Sequence, residues 1–136
     1  ISKTSTSTFI AYKKIMSNNT TGRKTSINFQ INLDEQNIPD TIYWDATDAP
    51  PDANKETRAV LLALWDAKAN CGLSIDLWTK EMTVQEMNLF YFQTMLSMSE
   101  SFMRSTQQKE LADEISGFAK QWIEKVKQKE KQQVSK

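Results

Sequence analysis

The sequence predicts an α+β fold, a four-stranded antiparallel meander sheet followed by two C-terminal helices packed on one face. Three observations predict it. Apolar and polar residues alternate in the first half of the chain. Turn-forming clusters separate the alternating runs. A period of three and four residues then sets in at a helix-start motif and holds to about residue 126.

The first strand is Thr25–Leu33, TSINFQINL. Ile27, Phe29, Ile31 and Leu33 share one face, and Ser26, Asn28, Gln30 and Asn32 the other. DEQNIPD follows as a turn, with Pro39 barring regular pairing there. Thr41–Thr47 is the second strand, with Ile42, Trp44 and Ala46 opposite to Tyr43 and Asp45. DAPPDANKE reads as a loop, because two consecutive prolines oppose helix and ladder alike. Arg58–Asp66, RAVLLALWD, is apolar on both parities. It predicts a strand that is covered on both faces, or one that offers a face to another chain. Leu73–Trp78 completes a hairpin with it and leaves Trp78 on the polar parity, beside Ser74 and Asp76.

The helices have clearer beginnings. Thr83-Val84-Gln85-Glu86 has the form of a capping box, with Met82 and Met87 at the positions of a hydrophobic staple. Val84, Met87, Tyr91, Met95, Met98 and Phe102 make one stripe, and Leu89, Phe92, Leu96 and Met103 a second beside it. Together they are wider than a helix lying on one sheet requires. A second helix is expected from a capping box at Ser105–Gln108, with the stripe Leu111, Ile115, Phe118, Trp122 and Val126. The organisation is a poorly ordered arm over 1–23, a single domain over 24–127 and a polar tail over 128–136 whose lack of apolar period predicts fraying. Met16 is a plausible start.

Composition narrows the function. A chain of 136 residues buries roughly two thirds of its surface on folding, enough for one core. The formal net charge is zero, against the basic excess of a general nucleic-acid binder. Residues 1–33 carry five basic and no acidic residues, whereas 34–56 carry seven acidic residues and only Lys55. This asymmetry reads as solvated segments or as an ionic contact with a partner. No apolar run reaches the ~18 residues of a membrane span, and the N-terminus lacks a signal-peptide pattern. The single cysteine, Cys71, permits no disulfide framework within the chain and fits a cytoplasmic location.

With no histidine, Ser-His-Asp, Cys-His and His-based metal sites are excluded. Three glycines form no phosphate loop. Asp45, Asp48 and Asp52 lack the spacing of a calcium loop, and Asp76 is expected to pair with Arg58 or Lys80. No catalytic residue, cofactor or metal is therefore expected. The methionines are adaptable enough for a binding surface, but Met87, Met95 and Met98 read as core. The interface candidates are Tyr43, Trp78, Leu89, Phe92, Leu96 and Met103. Trp78 either packs across the sheet against neighbours such as Tyr43 or lies on a face that another chain completes.

Several blocks resemble a known family. NLDEQNIPDTIYWDATD, LLALWD, LSIDLWTKEMTVQEM, FQTMLSMSESF and LADEISGFAKQW are similar, in this order, to the gliding-motility protein family GldC. The resemblance covers about residues 24–123, and its most specific part is Ile75–Met87, IDLWTKEMTVQEM. The segment before Met16 and the basic C-terminal tail depart from it. It implies a cytoplasmic accessory protein of bacterial surface gliding and no known enzyme activity or cofactor, so it supplies no catalytic positions. The strand-and-helix order is also similar, in topology alone, to the export chaperone SecB. The expected function is thus an adaptor working through protein–protein contacts, with protein partners, no nucleic acid, no membrane insertion, and a dimer or tetramer of the chain. The alternatives are a SecB-like holdase and a small carboxylate-based enzyme.

Overall fold

The computed structural model describes residues 22–134, so all but two residues of the expected N-terminal arm lie outside it. The described chain divides into two compact units, with the boundary between Glu81 and Met82.

The first unit holds five strands in two sheets. In one sheet β1 (Ile27–Leu33), β2 (Pro39–Ala46) and β3 (Glu56–Thr57) lie in the order β1-β2-β3, all antiparallel. The turn between β1 and β2 is built by Asp34. Its Oδ1 accepts the amides of Gln36 and Ile38 at 2.9 and 3.0 Å, and Asn37 takes the left-handed conformation at φ 61°. Asparagine tolerates that region better than most residues. Ile42, in the middle of the central strand, stands opposite Ile31 and Thr57 and is 0% exposed. The proline loop returns to this sheet through Trp44, whose backbone amide donates to the Lys55 carbonyl and whose indole Nε1 donates to the Asn54 carbonyl at 3.0 Å.

The second sheet is a hairpin of β4 (Ala59–Asp66) and β5 (Cys71–Trp78), paired without interruption from Ala59↔Trp78 to Asp66↔Cys71. Asp66 closes its turn by accepting the Lys68 and Ala69 amides, with Asn70 at φ 53°.

The four-stranded meander is thus replaced by sheets of three and two strands. The loop after Pro51 rejoins β2 for only two residues. At Arg58 the chain leaves that ladder, and Thr57 Oγ1 turns back to the Ala59 carbonyl. The long apolar strand β4 therefore pairs with β5 alone. Two backbone bonds beyond β5 reach both neighbourhoods: the Thr79 amide donates to the Arg58 carbonyl, and the Lys80 amide to the Pro39 carbonyl. Pro39 also departs from expectation. It opens β2 opposite Leu33, after a register shift, and at a strand's first position its missing N–H costs no ladder bond.

The second unit is a helical hairpin of α1 (Val84–Thr106, 23 residues) and α2 (Lys109–Val134, 26 residues). The capping box forms as expected: Glu86 donates its amide to Thr83 Oγ1 at 3.2 Å, and its carboxylate accepts the Thr83 amide at 2.8 Å. The second expected box does not form. Ser105 and Thr106 close the last turn of α1, where both hydroxyls donate to the Phe102 carbonyl. The turn is made by Gln107 at φ 60°. α1 thus runs further than its polar last turn suggests. α2 likewise continues through 128–134, where fraying was expected.

The seam between the helices combines small residues with one isoleucine. Ala112, Ala119 and Ile123 of α2 are buried, as is Ser99 of α1, whose hydroxyl donates to the Ala112 carbonyl at 2.6 Å. Asn88 donates to Glu130 near the open end. The large stripe expected to cover α2 lies beside this seam, and Leu111 and Phe118 are exposed. Alanines seven residues apart let two backbones approach closely, so bulk is carried on the flanks. No helix among the described residues is long and apolar enough to cross a membrane.

Candidate functional site

Several ionisable residues of the first unit are turned on one another. Arg23 pairs with Asp48, joining the basic N-terminal stretch to the acidic loop within the chain. Lys55 pairs with Asp45 at 2.9 Å, and this contact holds the Asp45 carboxyl below the usual carboxylate range. Lys80 pairs with Asp40 at 2.7 Å and Asp34 at 3.5 Å, not with Asp76. Asp40 first, then Asp34, raises the Lys80 ammonium above its ordinary value. The Asp34 carboxyl is held low chiefly by the Ile38 and Gln36 amides. Among the described residues no three metal-ligating side chains cluster. This arrangement links neighbouring segments of the first unit through exposed ion pairs.

The conspicuous surface is the β4–β5 hairpin. Its register places Val60 opposite Leu77, Leu62 opposite Ile75 and Leu64 opposite Leu73, a continuous aliphatic face. Toward the tip it is open, with Leu64 55%, Leu73 51% and Ile75 47% exposed. The other face carries Trp65 opposite Gly72 and Trp78 opposite Ala59. These tryptophans are 67% and 49% exposed. Each large ring faces a residue with little or no side chain, so cross-strand packing leaves it largely uncovered.

The candidate residues separate. Tyr43 lies in the other sheet, opposite Gln30 and Glu56, and is exposed. Trp78 and Tyr43 therefore share no ladder, and packing across one sheet does not account for Trp78. Phe92, Leu96 and Met103 are half-buried and repeat at helical spacing with Ser99 and Asn88, the α1 residues bonded to α2. Leu89, one residue off that stripe, is 52% exposed. Met98, expected in the core, is exposed as well. Leu64, Trp65, Leu73 and Ile75 were not among the candidates. For Leu64 and Trp65 the signal was the apolar character of 59–66 on both parities, which a two-stranded sheet cannot bury; Leu73 and Ile75 stand opposite that run.

These features define a class: a small α+β protein with internally paired charges and an uncovered apolar β-hairpin. Residues 39–128 match the model of the family described as gliding motility-associated protein GldC-like, and the chain belongs to that family. It is a motility-associated family rather than a known enzyme family. No curated protein and no solved structure matches the chain. The likeness to SecB rested on one four-stranded sheet, which the observed topology does not contain.

Proposed function

We propose that the chain is a non-enzymatic accessory protein of the bacterial gliding machinery, an adaptor that works in the cytoplasm as a homo-oligomer through protein–protein contacts. Family membership supports the motility setting. The observation that supports contact as the mode of action is the β4–β5 hairpin, with exposed apolar side chains on both faces. Aromatic anchors such as Trp65 and Trp78 are the residue types that concentrate binding energy at protein interfaces.

The test is affinity capture from a gliding bacterium with the wild-type chain and with Trp65→Ser. An adaptor recovers one or two defined machinery proteins, and the substitution reduces their yield. Recovery of only unrelated unfolded chains, with suppression of their aggregation in a purified assay, would reject the adaptor reading and favour a SecB-like holdase using the same hairpin.

A further inference from the structure

The helical hairpin has two unlike faces. At about 100° per residue, Val84, Met87, Tyr91 and Met98 lie roughly a quarter-turn of α1 from Asn88 and Ser99, which bond to α2. Leu111, Ile115, Phe118 and Trp122 lie roughly a quarter-turn of α2 from Ala112, Ala119 and Ile123, in the same rotational sense. Because the helices run antiparallel, both stripes fall on one side of the hairpin. The other side carries the exposed pairs Lys109–Asp113, Lys127–Glu124 and Glu100–Arg104. α1 has three charged residues in 23, Glu86, Glu100 and Arg104, and all three turn away from the apolar side. A helix with so little charge around it is one covered on more than one side. α2 supplies one of these covers.

We propose that a second copy of this chain supplies the other, the two helical hairpins joining by their apolar faces into a four-helix bundle in which α2 packs antiparallel on the second copy's α2. This deepens the oligomer part of the proposed function and rests on it. Charge complementarity selects the occupant and the arrangement. The border of the apolar face along α2 carries Glu110 and Glu114 in its first half and Lys125 and Lys129 in its second, all exposed. A two-fold axis perpendicular to α2, between Ala119 and Lys120, sets Glu114 level with the second copy's Lys125 and Glu110 level with its Lys129. Symmetry makes each pair twice. Between the levels of the Ser99–Ala112 and Asn88–Glu130 bonds, the same axis passes α1 at Thr94–Met95. Tyr91 then meets the second copy's Met98, Met87 meets its Phe102, and on α2 Phe118 meets its Trp122. An axis parallel to the helices would instead set Glu114 and Lys125 against the uncharged flank of Phe90, Ser97 and Ser101 on α1, where neither charge finds a partner.

Area points the same way. Val84, Tyr91, Met98, Leu111 and Phe118 are each between 39% and 72% exposed. At about 150–200 Å² per side chain, they leave about 400–540 Å² of apolar surface uncovered on one face. A stable interface buries about 800 Å² on each partner, of which about 65%, or roughly 520 Å², is apolar in homodimers. The half-buried Met87, Ile115 and Trp122 add to the available surface. A second hairpin also matches the face in length, since helices of 23 and 26 residues run about 35–39 Å.

Sedimentation and native mass measurement over a concentration series, with zero-length carbodiimide crosslinking of the wild-type chain, test the proposal. The expected result is a dimer in which crosslinking joins Glu114 to Lys125. Within one α2 these residues stand about 16 Å apart along the axis, so that bond can form only between two copies. Phe118→Lys should raise the dissociation constant roughly 100-fold, since each dimer loses two buried rings. Glu114→Lys and Lys125→Glu should each raise it about 10-fold, and the double variant should restore it. Lys120→Glu, on the opposite face, should leave it unchanged. If Phe118→Lys fails to fold, the crosslink and the charge exchange decide. A monomer at all concentrations overturns both the bundle and the oligomer reading. A dimer that tolerates Phe118→Lys and gives no Glu114–Lys125 crosslink overturns the bundle alone. A dimer weakened by Phe118→Lys but not restored by the double charge exchange overturns the antiparallel pairing of α2.

Discussion

Replacing Ile42 with alanine should destabilise the protein by about 3–4 kcal/mol. The side chain is fully buried in the central strand of the three-stranded sheet, facing Ile31 on one side and Thr57 on the other. The substitution removes three carbons. At about 0.8 kcal/mol each, their transfer accounts for about 2.4 kcal/mol. A residual cavity adds to this, because strands paired on both sides hinder collapse, and buried isoleucine-to-alanine changes span about 2–5 kcal/mol. The assay is urea unfolding followed by tryptophan fluorescence, with Trp44, Trp65 and Trp78 reporting on the first unit. Leu64→Ala provides the internal comparison. That residue is more than half exposed, so its loss should cost about 1 kcal/mol when measured at low concentration. An Ile42→Ala cost below about 1 kcal/mol, or a Leu64→Ala cost equal to it in the monomer, would refute the placement of the core at Ile42.

Three further outcomes follow from local geometry. Thr83→Ala removes the acceptor for the Glu86 amide and should lower stability by about 1 kcal/mol in thermal unfolding followed by helical circular dichroism. Gln107→Gly relieves a left-handed non-glycine residue at the end of α1 and should raise helical-unit stability by about 1 kcal/mol in the same measurement. Asp34 has a folded pKa below its unfolded value of about 3.9, so its contribution is present above about pH 4 and is lost as pH falls through the folded value. Asp34→Asn should therefore flatten the acid limb of a stability–pH profile from urea titrations, while leaving the dependence above about pH 6 unchanged.

Much of this architecture was legible in the residues because it is local. The Thr83–Glu86 box requires two side chains three positions apart, and it forms as the spacing implies. β1, β2 and β5 lie where alternation placed them within about two residues, and β4 where its apolar run did; the two-residue β3 was not foreseen. Sheet membership was not legible, since alternation specifies a strand's faces and leaves its neighbour undetermined. The departure at Arg58 depends on how a proline-containing loop closes over β2. Ser105–Gln108 misled for a related reason. Serine and threonine hydroxyls satisfy the carbonyls of a preceding turn as readily as the amides of a following one, and here the Phe102 carbonyl takes both. In α2 the largest apolar residues suggested the packed stripe; Ile115, Trp122 and Val126 are half-buried, but the most buried positions are Ala112, Ala119 and Ile123. The functional surface was half visible. Trp78 was singled out by its place on a polar parity, but the aliphatic face beside it emerged only from the register of β4 and β5.

The two backbone bonds after β5 have a mechanical consequence. Thr79 and Lys80 are tied to Arg58 and Pro39, and the Lys80 ammonium is tied to Asp40 and Asp34 as well. Tension on the chain beyond Lys80 must therefore break the Lys80 attachments before it reaches the Ala59–Trp78 end of the hairpin. The hairpin is secured at both ends, by these bonds at its base and by the Asp66 turn at its tip.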